Sequence, residues 1–108
     1  MDAALRAIAE PRRRDILRLI QDGERAAGEI ASHFEVTRPA ISQHLSVLKA
    51  AGLVIERREG TRRLYRARPE GLEEVRSYLE GFWDGRLRLL KHAAEADERR
   101  LKDDDSKQ

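Results

Sequence analysis

Apolar positions recur at helical spacing through most of the chain. Leu5 and Ile8, three apart, place a short helix at residues 3–9 with one apolar face. Pro11 suits the first turn of a second helix, where its missing N–H costs nothing. Ile16, Leu17 and Ile20 form the inner face of that helix, Arg12, Arg13, Arg14 and Arg18 lie mostly outward, and Gly23 stops it after about residue 22. A third helix, at about 26–34, buries Ile30, Ala31 and Phe34. A turn at Glu35 and Val36 leads to Thr37, an N-cap residue, and Arg38-Pro39 opens a fourth helix with proline again in the first turn. Ile41, Leu45 and Leu48 keep i, i+4, i+7 spacing as its buried stripe. Ala51-Gly52 end it, since glycine readily takes the left-handed conformation of a helix C-cap.

The periodicity then changes. Leu53-Val54-Ile55 and Leu64-Tyr65-Arg66-Ala67 are two short strands around Glu59-Gly60-Thr61, a β-hairpin with a glycine-containing turn. Pro69 marks the exit. From 70 to about 96 a long helix carries Leu72, Val75, Leu79, Phe82, Trp83, Leu87, Leu90 and Ala94, and the charged segment 97–108 is expected to fray. The predicted order is α-α-α-α-β-β-α: a mainly helical fold with a small β-hairpin, one domain over 1–96 and a charged tail over 97–108.

Composition narrows the class. The chain has 108 residues, enough for one modest core; 39% are charged and only 5% aromatic. Net charge is only +2, so placement says more than the sum. Residues 36–55 hold no Asp or Glu but do hold Arg38, His44 and Lys49. Residues 57–68 hold six arginines (57, 58, 62, 63, 66 and 68) against the single acid Glu59. Either stretch alone could be an ordinary solvated face. With no cysteine, disulfides and thiolate metal sites are excluded. No apolar run approaches the ~18 residues of a membrane span, and no signal peptide opens the chain, which points to a soluble, cytoplasmic protein without membrane contact.

Two short helices joined by a tight turn and followed by a basic hairpin describe a winged helix-turn-helix. The second helix of such a pair must enter a major groove, so its outer face should be small, polar and free of acids. Opposite Ile41, Leu45 and Leu48 stand Arg38, Pro39, Ser42, Gln43, Ser46 and Lys49. Arginine can pair with guanine, glutamine with adenine, and serine with a base or a phosphate. The hairpin tip could set Arg62 and Arg63 against the neighbouring minor groove or backbone.

Over about residues 3–80 the chain resembles the ArsR/SmtB repressors. The resemblance rests on Glu10-Pro11-Arg12-Arg13 before Ile16-Leu17, and on Thr37-Arg38-Pro39-Ala40-Ile41-Ser42-Gln43-His44-Leu45. It rests equally on Leu48-Lys49-Ala50-Ala51-Gly52-Leu53-Val54 and on the wing from Arg57 through Glu59-Gly60-Thr61 to Tyr65. It implies a homodimeric repressor whose fourth helix reads double-stranded DNA at each half-site of an inverted repeat, with first and last helices packing between subunits. Carried over by position, Arg38, Pro39, Ser42 and Gln43 would face base edges or phosphates, and Arg62 would sit in the wing. His44, beside buried Leu45, either packs within the domain or reaches the groove.

The residues themselves also point to pairing. Leu79, Phe82, Trp83, Leu87 and Leu90 offer more apolar surface than so small a domain can cover, and with Leu5 and Ile8 they are the candidate dimer interface, whereas Leu72 and Val75 read as ordinary core. Gly81 and Gly85 each cost roughly 1 kcal/mol in a helix interior, which either close approach of another helix or a kink would explain. Many members of the family release DNA on binding metal through a cysteine pair in the third helix or Asp and His groups in the last. Here Arg25-Ala26-Ala27-Gly28-Glu29 opens the third helix, and Asp84 is followed by Arg86 two places on rather than by histidine. His33, His44 and His92 lack ligand spacing, so neither metal nor cofactor is expected. The signal is then a small-molecule effector of unidentified chemistry, another protein, a metal at an unfamiliar site, or the repressor's own accumulation. An enzyme would need a nucleophile with a base or paired carboxylates in a cleft, and the sequence presents neither. A winged helix used for protein contacts would commonly lack the basic wing and polar outer face found here.

Overall fold

The computed structural model describes the backbone of residues 1–106, and their side chains except at 83, 86, 87 and 98–106. Its elements are α1 (Asp2–Ala9), α2 (Pro11–Ile20), β1 (Arg25–Ala26), α3 (Ala27–Ser32), α4 (Arg38–Ala50), β2 (Val54–Glu59), β3 (Arg62–Ala67) and α5 (Pro69–Ser106). They fall into two compact units, Met1–Val75 and Arg76–Gln108.

The core of the first unit gathers Ile16, Leu17 and Ile20 from α2, Ile30 from α3, and Ile41, Leu45 and Leu48 from α4. Leu53, Val54 and Tyr65 close it from the hairpin, and Val75 from the start of α5. These are the stripes that the spacing predicts, with Leu72 packed at the margin. The first helix differs. Its buried positions are Ala4 and Ala7, while Leu5 and Ile8 lie half-buried beside them. Small side chains let the α1 backbone approach closely, which turns the bulkier pair toward the flank.

Two of the α2 arginines are not simple surface groups. The last carbonyls of a helix have no partner within it. Arg13 Nε donates to the Ala7 carbonyl at 2.7 Å, and Arg14 Nη1 donates to those of Ile8 and Ala9 at 2.7 and 3.1 Å. The turn at Glu10-Pro11 thus folds α2 back so that its own side chains finish α1.

The helix α4 is closed at both ends. Thr37 Oγ1 accepts from the Ala40 amide at 3.3 Å. At the other end Gly52, at φ +76°, donates to Lys49, and Leu53 donates to Leu48, both at 3.0 Å. That is the paired bonding of a Schellman stop, and it delivers the chain directly into β2.

The sheet has three strands in the order β1-β3-β2, one more than the sequence predicts. β1 is only two residues long, pairing Arg25 with Tyr65 and Ala26 with Leu64, which is too short to leave a periodic signal. The hairpin is also longer than expected, its register running from Val54–Ala67 to Glu59–Arg62. Gly60, at φ +63°, fills the first central position of a two-residue turn, as a type II′ turn requires.

In the second unit, α5 continues to Ser106, past the end expected near 96; residues 97–106 hold neither glycine nor proline to stop it. Tyr78 and Phe82 meet edge to face at 5.1 Å between ring centres. Among the described residues no helix is long and apolar enough to cross a membrane.

Candidate nucleic-acid interface

The buried stripe of α4 fixes what the helix shows outward. With Ile41, Leu45 and Leu48 fully enclosed, Thr37, Arg38, Pro39, Ser42, Gln43, Ser46 and Lys49 are all exposed. His44 is half-buried, and its Nδ1 lies 3.4 Å from the Arg13 guanidinium. That contact with α2 supports the first of the two roles the sequence left open to this histidine, packing within the domain.

Strand register sorts the wing. Residues directly opposite each other in an antiparallel pair share a face. Glu56, Arg58, Arg63 and Tyr65 therefore lie on one side of the ribbon, and Arg57, Glu59, Arg62 and Leu64 on the other. The first side meets α4. A groove of about 460 Å³ runs there between Ser42, Ser46, Lys49 and Ala50 of the helix and Glu56, Arg63 and Tyr65 of the wing. A second hollow of about 470 Å³ continues it toward α3, lined by Gly28, Arg38, Ser42, Thr61, Arg62 and Arg63 among others. The Arg38 guanidinium lies back across the start of α3, 3.9 Å from where a Cβ on Gly28 would stand. Arg38, Ser42, Ser46, Lys49, Arg62 and Arg63, proposed separately from the sequence, thus border one continuous basic and hydroxylic trough. Gln43 is exposed on α4 but does not line either hollow.

The sequence did not reveal how these cations are held. Arg57 donates twice to Glu24, from Nε at 2.7 Å and from Nη2 at 2.6 Å, and again to Glu59 at 3.1 Å. That partnership holds the Glu24 carboxyl below its ordinary pKa, chiefly through the Arg57 hydrogen bond, and raises the Arg57 guanidinium in turn. Arg62 Nη2 meets Glu29 at 3.2 Å, and Arg25 approaches the same carboxylate at 4.0 Å. Lys49 Nζ donates to Glu56 at 3.0 Å, which lowers the pKa of that carboxyl, and Arg63 lies 3.8 Å from its other oxygen. Lys49, Arg57, Arg62 and Arg63 thus each face a carboxylate, an oxyanion that stands where a phosphate oxygen could.

Of the candidate interface residues, Leu79, Phe82 and Leu90 are exposed in the single chain, Phe82 by 64%, and Tyr78 and Leu89 join them. The side chains of Trp83 and Leu87 lie outside the described residues. Gly81 and Gly85 meet nothing of their own chain within 4 Å of an added Cβ. No group of three or more His, Cys, Asp or Glu among the described residues could hold a metal.

Comparison with known proteins agrees with this geometry. Residues 10–56 match the family model for bacterial regulatory proteins of the arsR family. An HTH-type transcriptional regulator of Mycobacterium tuberculosis is 48% identical over 82 residues, covering 76% of this chain and 77% of that protein. The chain belongs to the ArsR family. The transcriptional repressor SdpR of Bacillus subtilis is 43% identical over 60 residues, 56% of this chain and 67% of the repressor. Among solved structures, a homodimeric winged helix-turn-helix DNA-binding domain from Mycobacterium bovis superposes with a TM-score of 0.64 at 36% identity, covering 77% of each chain. The fold of this ArsR-family chain is therefore a winged helix-turn-helix, α3 and α4 forming the helix pair and β2–β3 the wing.

Proposed function

We propose that this ArsR-family chain is a cytoplasmic homodimer that represses transcription by binding an inverted-repeat operator. The outer face of α4 carries the reading: acid-free over 36–55, exposed, and opening onto a basic trough. In a major groove, Arg38, Ser42, Gln43 and Ser46 would meet base edges or phosphates. Thr37, Pro39 and Lys49 would meet backbone, and Arg62 and Arg63 would reach the flanking phosphates or minor groove. His44 supports α4 through Arg13 rather than touching DNA.

A two-fold operator needs a two-fold protein. Leu5 and Ile8 on α1, and Leu79, Phe82, Trp83, Leu87 and Leu90 on α5, are the surfaces we assign to the partner subunit. The homodimeric Mycobacterium bovis neighbour and the repressor named in Bacillus subtilis support that reading. Residues 1–96 then act together as the DNA-binding and dimerising domain, with 97–108 as a charged tail. No catalysis and no metal enter this reading, and the signal is a small-molecule effector, another protein, or the repressor's own accumulation.

Selection of duplexes from a random pool by the purified protein, near physiological salt, tests it directly. Enrichment of an inverted repeat is the expected result. A folded dimer that enriches nothing would turn the winged domain toward protein contacts.

A further inference from the structure

Glu56 touches both elements of the proposed DNA-binding face. Its Oε2 accepts from Lys49, in the last turn of α4, at 3.0 Å, and its Oε1 lies 3.8 Å from Arg63 on β3. The carboxylate is at the floor of the trough and the cations at its rim. The Glu56 side chain is 15% exposed, against 56% for Lys49 and 55% for Arg63. Its backbone is fixed opposite Tyr65 in the β2–β3 ladder, so the anchor does not move with the cations it holds.

A face built only for affinity would not keep a carboxylate here, because it repels phosphate. What it offers is order. Lysine and arginine each lose rotamer freedom when they bind, and holding them beforehand lowers that cost for one arrangement of phosphates only. We infer that Glu56 is a specificity-determining positioning residue. Without touching DNA, it fixes Lys49 and Arg63 as a pair across the trough, so that they fit the backbone when α4 is in register with its own sequence. The carboxylate is ionised at neutral pH, and the Lys49 hydrogen bond holds its pKa below the ordinary value. Without it, each cation would swing to the nearest phosphate on any duplex.

The inference rests on α4 and the wing meeting DNA, and its test separates the two ideas. Affinity is measured against salt for the operator enriched from the pool and for a random duplex of equal length. If the wild-type protein does not distinguish them, the DNA-reading face fails and this inference falls with it. Where it does distinguish them, Glu56→Gln should tighten random-duplex binding and lower the specificity ratio by about tenfold, the size of one coupled contact in a charge network. Its salt slope on random DNA should steepen by up to about 2, one for each cation released. Glu56→Asp keeps the charge but withdraws it by one methylene. It should also lower the ratio, and it decides the matter if Glu56→Gln does not fold. In a Lys49→Gln/Arg63→Gln background the effect of Glu56→Gln should vanish. An unchanged ratio in Glu56→Gln, a wild-type ratio in Glu56→Asp, or an effect that persists in the double background would each overturn the assignment.

Discussion

A Cβ placed on Gly71 would fall on the carbonyl oxygen of Gly52. The two glycines bring the first turn of α5 against the end of α4, where Arg68 also donates to that same carbonyl at 3.3 Å. Alanine is favoured over glycine in helix interiors by about 1 kcal/mol, so propensity alone predicts that Gly71→Ala stabilises. Contact predicts the reverse, because backbone cannot yield as a flexible side chain does. We expect a net loss of about 1–3 kcal/mol, the usual scale of overpacking, measured by urea unfolding.

Arg62 and Glu29 should act on DNA binding with opposite signs. Arg62→Ala should weaken binding to all sequences and flatten the salt slope by at most about 1, since Glu29 already offsets part of that charge. Glu29→Gln leaves Arg62 without its 3.2 Å partner and should tighten binding while steepening the slope. Fluorescence anisotropy titrations at several salt concentrations give both numbers. Slopes unchanged in both variants would remove the wing tip from the interface.

Acid should loosen the sheet through Glu24. Its folded-state pKa lies below the ordinary 4.5, mainly because Arg57 hydrogen-bonds the carboxylate. A lowered folded pKa stabilises fully above the unfolded value and is lost as pH falls through the folded one. The stability difference between wild type and Glu24→Gln should therefore be constant above about pH 4.5 and shrink below it. Thermal unfolding of both proteins across that range checks the prediction. A gap that persists undiminished in acid would assign the effect of the substitution to packing.

Phe82→Glu should give monomers. The ring is 64% exposed in the single chain and meets only the Tyr78 edge among aromatic partners described. Sedimentation velocity should show the dimer lost, while circular dichroism of the helices stays near wild type. Intact dimers would move the subunit contact away from this part of α5.

Local chemistry was legible in the sequence wherever its signal was also local. Thr37 and Gly52 bound α4 as expected, and the stripe of Ile41, Leu45 and Leu48 correctly gave its outer face. β1 was not legible, because two residues carry no period and take strand form only by pairing with β3. On α1 the pattern favoured the bulkier Leu5 and Ile8, whereas close packing selected Ala4 and Ala7. The carboxylate partners were hidden for a simpler reason. Glu24–Arg57 and Glu29–Arg62 each join groups 33 positions apart, so Glu24 and Glu29 look like ordinary surface acids until the hairpin folds over them. Arg13 and Arg14 gave no sign that they would close the preceding helix.

The pairing of the wing has a kinetic consequence. A ribbon whose arginines arrive free would draw DNA from a distance and grip any stretch it met, with a long stay at each wrong site. Here Arg57, Arg62 and Arg63 travel with counter-ions built into the chain. For these three, a phosphate contact would exchange one oxyanion for another, so they would add little driving force at long range. Encounters with random DNA should be brief and the protein quick to move on, its dwell time set by whether α4 finds a sequence it fits.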